Sequence, residues 1–419
     1  MAPDQLDLTA ILKPGDTIVM GQGCGEPTTL LEALIEQGPS IGDLTLFVAT
    51  SFSGLLKPET ANSFALTSMG AIGALRSMAK AGALRVIPVH VRQIGPLIAA
   101  GVIPCDVAMV QLSPADESGN HSCGLISDHI GAAVAKARVT IAEINAQVPF
   151  TYGESVPASA IDVAVESDRA PVEVKGGAIG ETDQAIASLC ANYIGDGSVL
   201  QVGVGGVPDA VLRLLGDRKD LGVHSGMVGD GIVDLVESGV VTNARKEIDA
   251  GVTINGALIG SRKLYDWADR NPAMRMCTTD YTHDPAVLGQ LSRLVTINSA
   301  IEVDLTGQVN AEQIGSAYLG GTGGQVDFVR AGAFSPGGAA IIALSASAKG
   351  GSLSKIVKSL SGPVTTARTE VDVIVTEYGA AELKGRTMAE RAARMAAIAH
   401  PDFREELERA AHEIAKRGY

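Results

Sequence analysis

A chain of 419 residues, 46% of them hydrophobic and 19% charged, is globular and long enough for two or three domains, which excludes a disordered protein. Its 47 acidic and 33 basic residues leave a net charge of −14. That balance excludes a general nucleic-acid binder, because the overall field repels polyanions and any anionic ligand must be held locally.

The opening segment carries Asp4 and Asp7 where a secretory signal needs basic and then apolar residues. No stretch reaches the ~18 uninterrupted apolar residues of a membrane span. A cytoplasmic protein with no membrane partner is expected. Its scattered cysteines (Cys24, Cys105, Cys123, Cys190 and Cys277) form no Cys-x-x-Cys pair, and they read as reduced, buried thiols. The histidines show no ligand spacing either, so no metal site is expected.

Short apolar runs alternate with helical patterns along the chain, as in βαβ units. In order they are DTIVMG (16–21), DLTLFVA (43–49), LRVIPVHV (84–91), VAMVQLS (107–113), VTIAEIN (139–145), SVLQVGVG (198–205), LVTINSA (294–300), AAIIALS (339–345) and VDVIVTEYG (371–379). Their two-sided apolar character predicts buried, mostly parallel strands. The C-terminal segment predicts two helices divided at His400-Pro401.

A weak internal repeat divides the chain. Gly15, Gly21, Gly23 and Pro27 recur as Gly197, Gly203, Gly205 and Pro208, roughly 180 residues later, and Asp116-Glu-Ser-Gly119 recurs as Asp304-Leu-Thr-Gly307. The expected fold is therefore α/β: two related open domains, residues 1–182 and 183–419, with mostly parallel sheets and the boundary in the loose stretch 170–183.

Three segments offer chemistry. Gly203-Val-Gly205-Gly206-Val-Pro208 is a strand running into a Gly-rich turn and a helix opened by Pro208, where free N–H groups meet an anion or oxyanion. It is no dinucleotide fingerprint, since Pro208 replaces the third glycine. Gly320-Gly-Thr-Gly-Gly324 has so many glycines that close approach of the main chain to substrate or cofactor is the better reading. In His224-Ser225-Gly226-Met227, His224 offers a general base and Ser225 a nucleophile, but neighbours on a strand point to opposite faces. Gly38-Pro-Ser40-Ile-Gly42 fits G-x-S-x-G yet follows a helix and precedes a strand, the reverse of a nucleophile elbow.

These motifs, with VQLSPADESGNHSCG (110–124), LGVHSGMVGDGIVDLVESGVVTNARK (221–246), VTINSAIEVDLTGQVNAEQIG (295–315) and TEVDVIVTEYGAAELKGRTMAERAARMAAIAHPDF (369–403), resemble the acetyl-CoA hydrolase/CoA-transferase family along nearly the whole chain. The resemblance implies two class I CoA-transferase-type domains with the active site between them, most of the CoA contacts in the second, and a homo-oligomer. It implies coenzyme A as part of the substrate rather than a tightly bound cofactor. Carried over by position, the CoA contacts fall on Gln201, Val202, Gly203, Val204, Gly205, Ile301, Gly324 and Lys349.

The family's usual reaction passes CoA through a glutamyl thioester, and that glutamate falls on Gly226. Glycine cannot form this intermediate. Direct attack by water on a thioester, or on an activated C–C bond of a CoA-linked intermediate, is then the leading expectation, in space freed beside the reacting carbonyl. His224, Glu26 and Glu377 are the candidate bases. The alternatives are CoA transfer through another carboxylate and a non-catalytic acyl-CoA-binding subunit.

Overall fold

A computed structural model describes all residues, 1–419. The first half builds a seven-stranded sheet from β1 (Thr17–Met20), β2 (Thr45–Phe47), β3 (Ala65–Ser68), β4 (Leu84–Val86), β5 (Val107–Leu112), β6 (Val139–Asn145) and β7 (Val163–Ser167). Its order is β4-β3-β2-β1-β5-β6-β7, and every pairing is parallel. The second half builds a six-stranded sheet from β8 (Val199–Val202), β9 (Gly222–Val223), β10 (Leu294–Ser299), β11 (Ala339–Ala343), β12 (Val373–Thr376) and β13 (Gly379–Glu382). The order there is β9-β8-β10-β11-β12-β13, parallel except at the last pair.

Strands covered on both faces need apolar residues throughout, and all six residues of β5 are buried. Apolar clusters flank both sheets. Every predicted run contains a strand. The run at 84–91 yields only the half-exposed edge strand Leu84–Val86, because Pro88 lacks the N–H a ladder needs. Sequence patterning missed β3, β7, β9 and β13, which are short or lie at an edge of a sheet.

The repeat has a structural cause. The chain reverses its direction of travel across each sheet at one place, between β1 and β5 in the first and between β8 and β10 in the second. Gly21 and Gly23 follow β1, as Gly203 and Gly205 follow β8. Gly15 and Gly197 both hold positive φ, +90° and +74°, just before those strands. The Asp116 and Asp304 copies are the same turn. Each Oδ1 accepts two backbone N–H groups, from Ser118 and Asn120 or from Thr306 and Gln308, and each turn closes on a positive-φ glycine.

Helix ends follow local chemistry. α1 (Thr28–Ile41) runs through Pro39 and Ser40 to end at Gly42, φ +80°, so Ser40 is helical and no nucleophile elbow exists there. α2 (Gly206–Arg213) begins at Gly206, two residues before Pro208, and the proline sits in the first turn, where its missing N–H costs nothing. Near the C-terminus α3 (Met388–Ala397) and α4 (Pro401–Arg417) divide where expected, with His400 as N-cap and Gly418 left-handed at the far end.

The two halves interlock. Cys24, Leu125 and Ile126 from the first pack into the largest apolar cluster of the second. The 126–128 segment docks on the residues that follow the short strands Thr253–Asn255 and Met274–Met276, bridging to Ala257 and Thr278, with Ser127 N donating to Gly256 O at 3.0 Å.

Candidate active site

In open α/β sheets, ligands settle outside the carboxyl ends of the strands where the chain reverses direction. A cavity of about 450 Å³ lies there in the second half, lined by Gly203, Val204 and Gly205 after β8, Asn298 to Ala300 at the end of β10, Leu344 after β11, and Lys355. A Cβ on Gly203 would meet no atom within 4 Å. Neither packing nor backbone conformation therefore requires glycine at 203, and its missing side chain leaves the main chain accessible from the cavity. Gly205 differs: φ of +126° demands glycine.

Of the family-implied CoA positions, Gly203, Val204 and Gly205 line this cavity, and Gln201, Val202, Ile301, Gly324 and Lys349 are not among its lining residues. Gln201 and Asn298, on adjacent strands, exchange side-chain amide hydrogen bonds. Val202 closes β8, and Ile301 follows Ala300. Lys349 stands at an exposed hairpin tip with φ of +51°, and Lys355 is the cation at the cavity wall. Burial pulls the Lys355 ammonium below its usual range, partly countered by Glu377. Glu377 follows β12, where its carboxylate accepts Ala346 N–H at 2.8 Å.

Gly226 lies beyond β9, and the space beside it is not free. A Cβ there would come within 2.7 Å of His283 Cε1 and 2.9 Å of Nε2. Gly324, at the start of the helix Gln325–Phe334, faces the same ring still more closely. The freed space expected beside Gly226 is thus occupied by imidazole. His283 is 4% exposed, packs on Phe328 with ring centroids 4.6 Å apart, and is held through Nδ1 to Thr282 Oγ1 at 2.8 Å. Thr282 Oγ1 also donates to Thr278 O at 3.3 Å. Thr282 thus braces the ring through Nδ1 while its hydroxyl also reaches Thr278 O. Burial pushes the His283 imidazole down to about 3, so it is neutral.

The Gly-rich loop has a different explanation from the one its composition implies. A Cβ on Gly70 or Gly320 would strike the backbone of Gly320 or Ala311 respectively. Ala71 N donates to Gly320 O at 2.7 Å and Val91 N to Gly323 O at 3.0 Å. At Gly320 the close approach is to the chain itself, and Ala71 and Val91 of the first half hold this loop.

His224 is fully buried beneath this site. Its Nε2 lies 3.2 Å from Thr282 O, and its Nδ1 has no partner. Burial, reinforced by Lys246, pushes it down to about 4. Ser225 turns away, donating to Val202 O at 3.2 Å. Glu26 spends its carboxylate on Ser51, Phe52 N and both the N–H and hydroxyl of Ser53, which ties the loop after β1 to the loop after β2. The thiols supply no substitute nucleophile: burial pushes Cys24 up to about 11 and Cys105, Cys123 and Cys190 to about 12.

One carboxyl that sequence reading missed lies at this junction. Asp128 is 7% exposed and accepts a hydrogen bond at Oδ2 from Gln22 Nε2, in the loop after β1. Thr50 Oγ1 donates to Gln22 Oε1 at 3.1 Å and so turns the Gln22 amide toward Asp128. A Cβ on Gly256 would sit 2.8 Å from Asp128 Oδ1 and 3.2 Å from Gly226 O. Burial pushes the Asp128 carboxyl up to about 7. Neither His283 nor Asp128 stands in a chemically suggestive local motif.

Comparison with known proteins agrees with this architecture. The acetyl-CoA hydrolase/transferase N-terminal domain matches residues 4–175 and the corresponding C-terminal domain residues 260–411. The chain is 38% identical to the 4-hydroxybutyrate coenzyme A transferase of Clostridium kluyveri over 395 residues, 93% of this chain and 92% of the relative. RipA from Yersinia pestis superposes with a TM-score of 0.93 at 33% identity, covering 99% of this chain and 97% of that one. A 4-hydroxybutyrate CoA-transferase from Porphyromonas gingivalis does so with a TM-score of 0.83 at 35% identity, covering 100% and 97%. With two mostly parallel sheets, a ligand-sized cleft at a reversal point and likeness along the whole chain, this protein belongs to the acetyl-CoA hydrolase/transferase family and is an enzyme of that hydrolase-or-transferase kind.

Proposed function

We propose that this enzyme cleaves an acyl-CoA substrate by direct attack of water, at the thioester or at an activated C–C bond of the CoA-linked acyl group. The observation that carries the reading is the pair Gly226 and His283. Where the family resemblance puts a nucleophilic carboxylate, this chain has a hydrogen atom and, pressed against it, a neutral imidazole. A neutral imidazole exchanges a hydrogen bond with water and orients it. At about 3 its affinity for protons is too low to make it the base at neutral pH.

The remaining parts fit acyl transfer to water. The main chain at Gly203 to Gly205 is open to the cavity, and N–H groups aimed at a developing oxyanion are worth roughly 3–4 kcal/mol each. Lys355 and the Gln201–Asn298 pair supply polar anchors at the same strand ends.

The test is a panel of acyl-CoA thioesters incubated with and without acetate while free thiol and new carboxylates are followed. Hydrolysis independent of acetate is expected, with no CoA found on a protein carboxylate after borohydride reduction and peptide mapping. Strict dependence on a carboxylate acceptor, with a reduced glutamyl or aspartyl peptide, would instead establish transfer, the activity named for the transferases this chain resembles.

A further inference from the structure

We infer that Asp128, contributed by the first half, is the proton acceptor and donor for the water that attacks at Gly226. The inference rests on the hydrolytic reading above and deepens it.

Geometry supports the assignment. Asp128 Oδ1 and the Gly226 carbonyl both lie within 3.2 Å of one point, the position a Cβ on Gly256 would take. A side chain at 256 would close on both the Asp128 carboxyl and the Gly226 carbonyl. The second oxygen is held by an amide that is itself oriented by Thr50. Asp128 has φ of +22°, a conformation residues with side chains rarely adopt. It is held there by its bridge to Thr278 and by Ser127 N–H on Gly256 O. Strain of this kind collects at functional sites. Next to Gly256, Asn255 is fully buried and leaves both amide atoms without partners, so this junction holds hydrogen-bonding capacity that the chain itself does not use.

The groups facing the carboxyl are few. Gln22 bonds it, Cys277 and Thr278 line the segment packed on it, and adjacent His129 is neutral, pushed down to about 4 by burial. No charged neighbour contributes to its ionisation, which burial dominates. A carboxyl near neutrality is ionised often enough to take a proton and basic enough to hold it.

In the step assigned to it, the Asp128 carboxylate takes one proton from water as the water oxygen bonds to the acyl carbon. The tetrahedral intermediate then breaks its C–S bond. The Asp128 carboxylic acid returns that proton to the departing sulfur, which leaves a carboxylic acid and the CoA thiol.

The test compares wild type, Asp128→Asn and Asp128→Glu, each checked for folding by circular dichroism. Asp128→Asn is expected to lower kcat by about 10² to 10⁴ with KM for the acyl-CoA within threefold, and to abolish a rise in kcat centred near pH 7. Asp128→Glu should recover part of the rate. A kcat for Asp128→Asn within threefold of wild type would overturn the assignment. A second measurement does not need turnover: the infrared band of the protonated Asp128 carboxyl, identified by its loss in Asp128→Asn, is followed as the thioether ketone S-acetonyl-CoA binds. A shift supports the placement and an unmoved band at saturation overturns it. If wild type hydrolyses no thioester, the hydrolytic reading fails, and this band alone decides whether Asp128 faces the acyl group.

Discussion

The ring of His283 stands where a side chain on residue 226 would begin, 2.7 Å from the Cβ position at its nearest atom. Residues 226 and 283 are therefore sterically coupled. An acidic side chain at 226 and this orientation of His283 exclude one another, and the glycine belongs to a filled, ordered site.

Restoring a carboxylate alone should accordingly fail. Gly226→Glu forces an overpacked junction that costs about 1–3 kcal/mol, read as a lower denaturant midpoint, and it gives no borohydride-trappable CoA adduct. The double variant Gly226→Glu/His283→Gly removes the obstructing ring. It should recover much of that stability and be the variant in which a glutamyl-CoA adduct appears on peptide mapping. A trapped adduct on Gly226→Glu alone would contradict the steric account.

Two glycines of the cavity rim should respond differently. A methyl group at residue 203 points into unoccupied space from an unstrained backbone, so Gly203→Ala should leave stability within about 0.5 kcal/mol while raising KM for acyl-CoA. Gly205→Ala puts a side chain at φ +126° and should cost about 1 kcal/mol or more. Thermal melts and saturation curves on the two variants separate the effects. A Gly203→Ala enzyme with unchanged KM would remove this turn from the binding site.

The buried titrating groups predict how stability depends on pH. Asp128 has a folded-state pKa raised to about 7 from an ordinary 3.8, so between those values the folded chain binds the proton more than the unfolded chain does. Its contribution is full below about pH 4 and is lost as pH rises through 7, by up to about 1.4 kcal/mol per pH unit. His129, His224 and His283 act in the opposite sense: lowered to about 4, 4 and 3 from 6.5, they cost stability as pH falls below about 6.5. Urea titrations at pH 5 and pH 7.5 should show wild type losing more stability, or gaining less, than Asp128→Asn on the alkaline side. Equal changes in the two proteins would mean that Asp128 titrates normally.

The amino-acid sequence by itself determined the local and repeating features of this protein. Apolar runs specified the covered strands because a parallel sheet hides both faces. Gly15, Gly197, Gly119 and Gly307 marked turns because only glycine adopts their backbone conformations freely, and His400-Pro401 divided two helices because proline ends one and begins another. Resemblance along the chain supplied the family and the cleft after β8. Tertiary structure alone decided what stands against Gly226. His283 reaches Gly226 and Gly324 within the second half, and Asp128 reaches Gly256 across the junction of the two halves, in each case from positions far apart in the chain, so no local period or spacing could signal them. Their altered acidities arise mainly from burial, a property of the assembled interior rather than of any residue's neighbours in sequence.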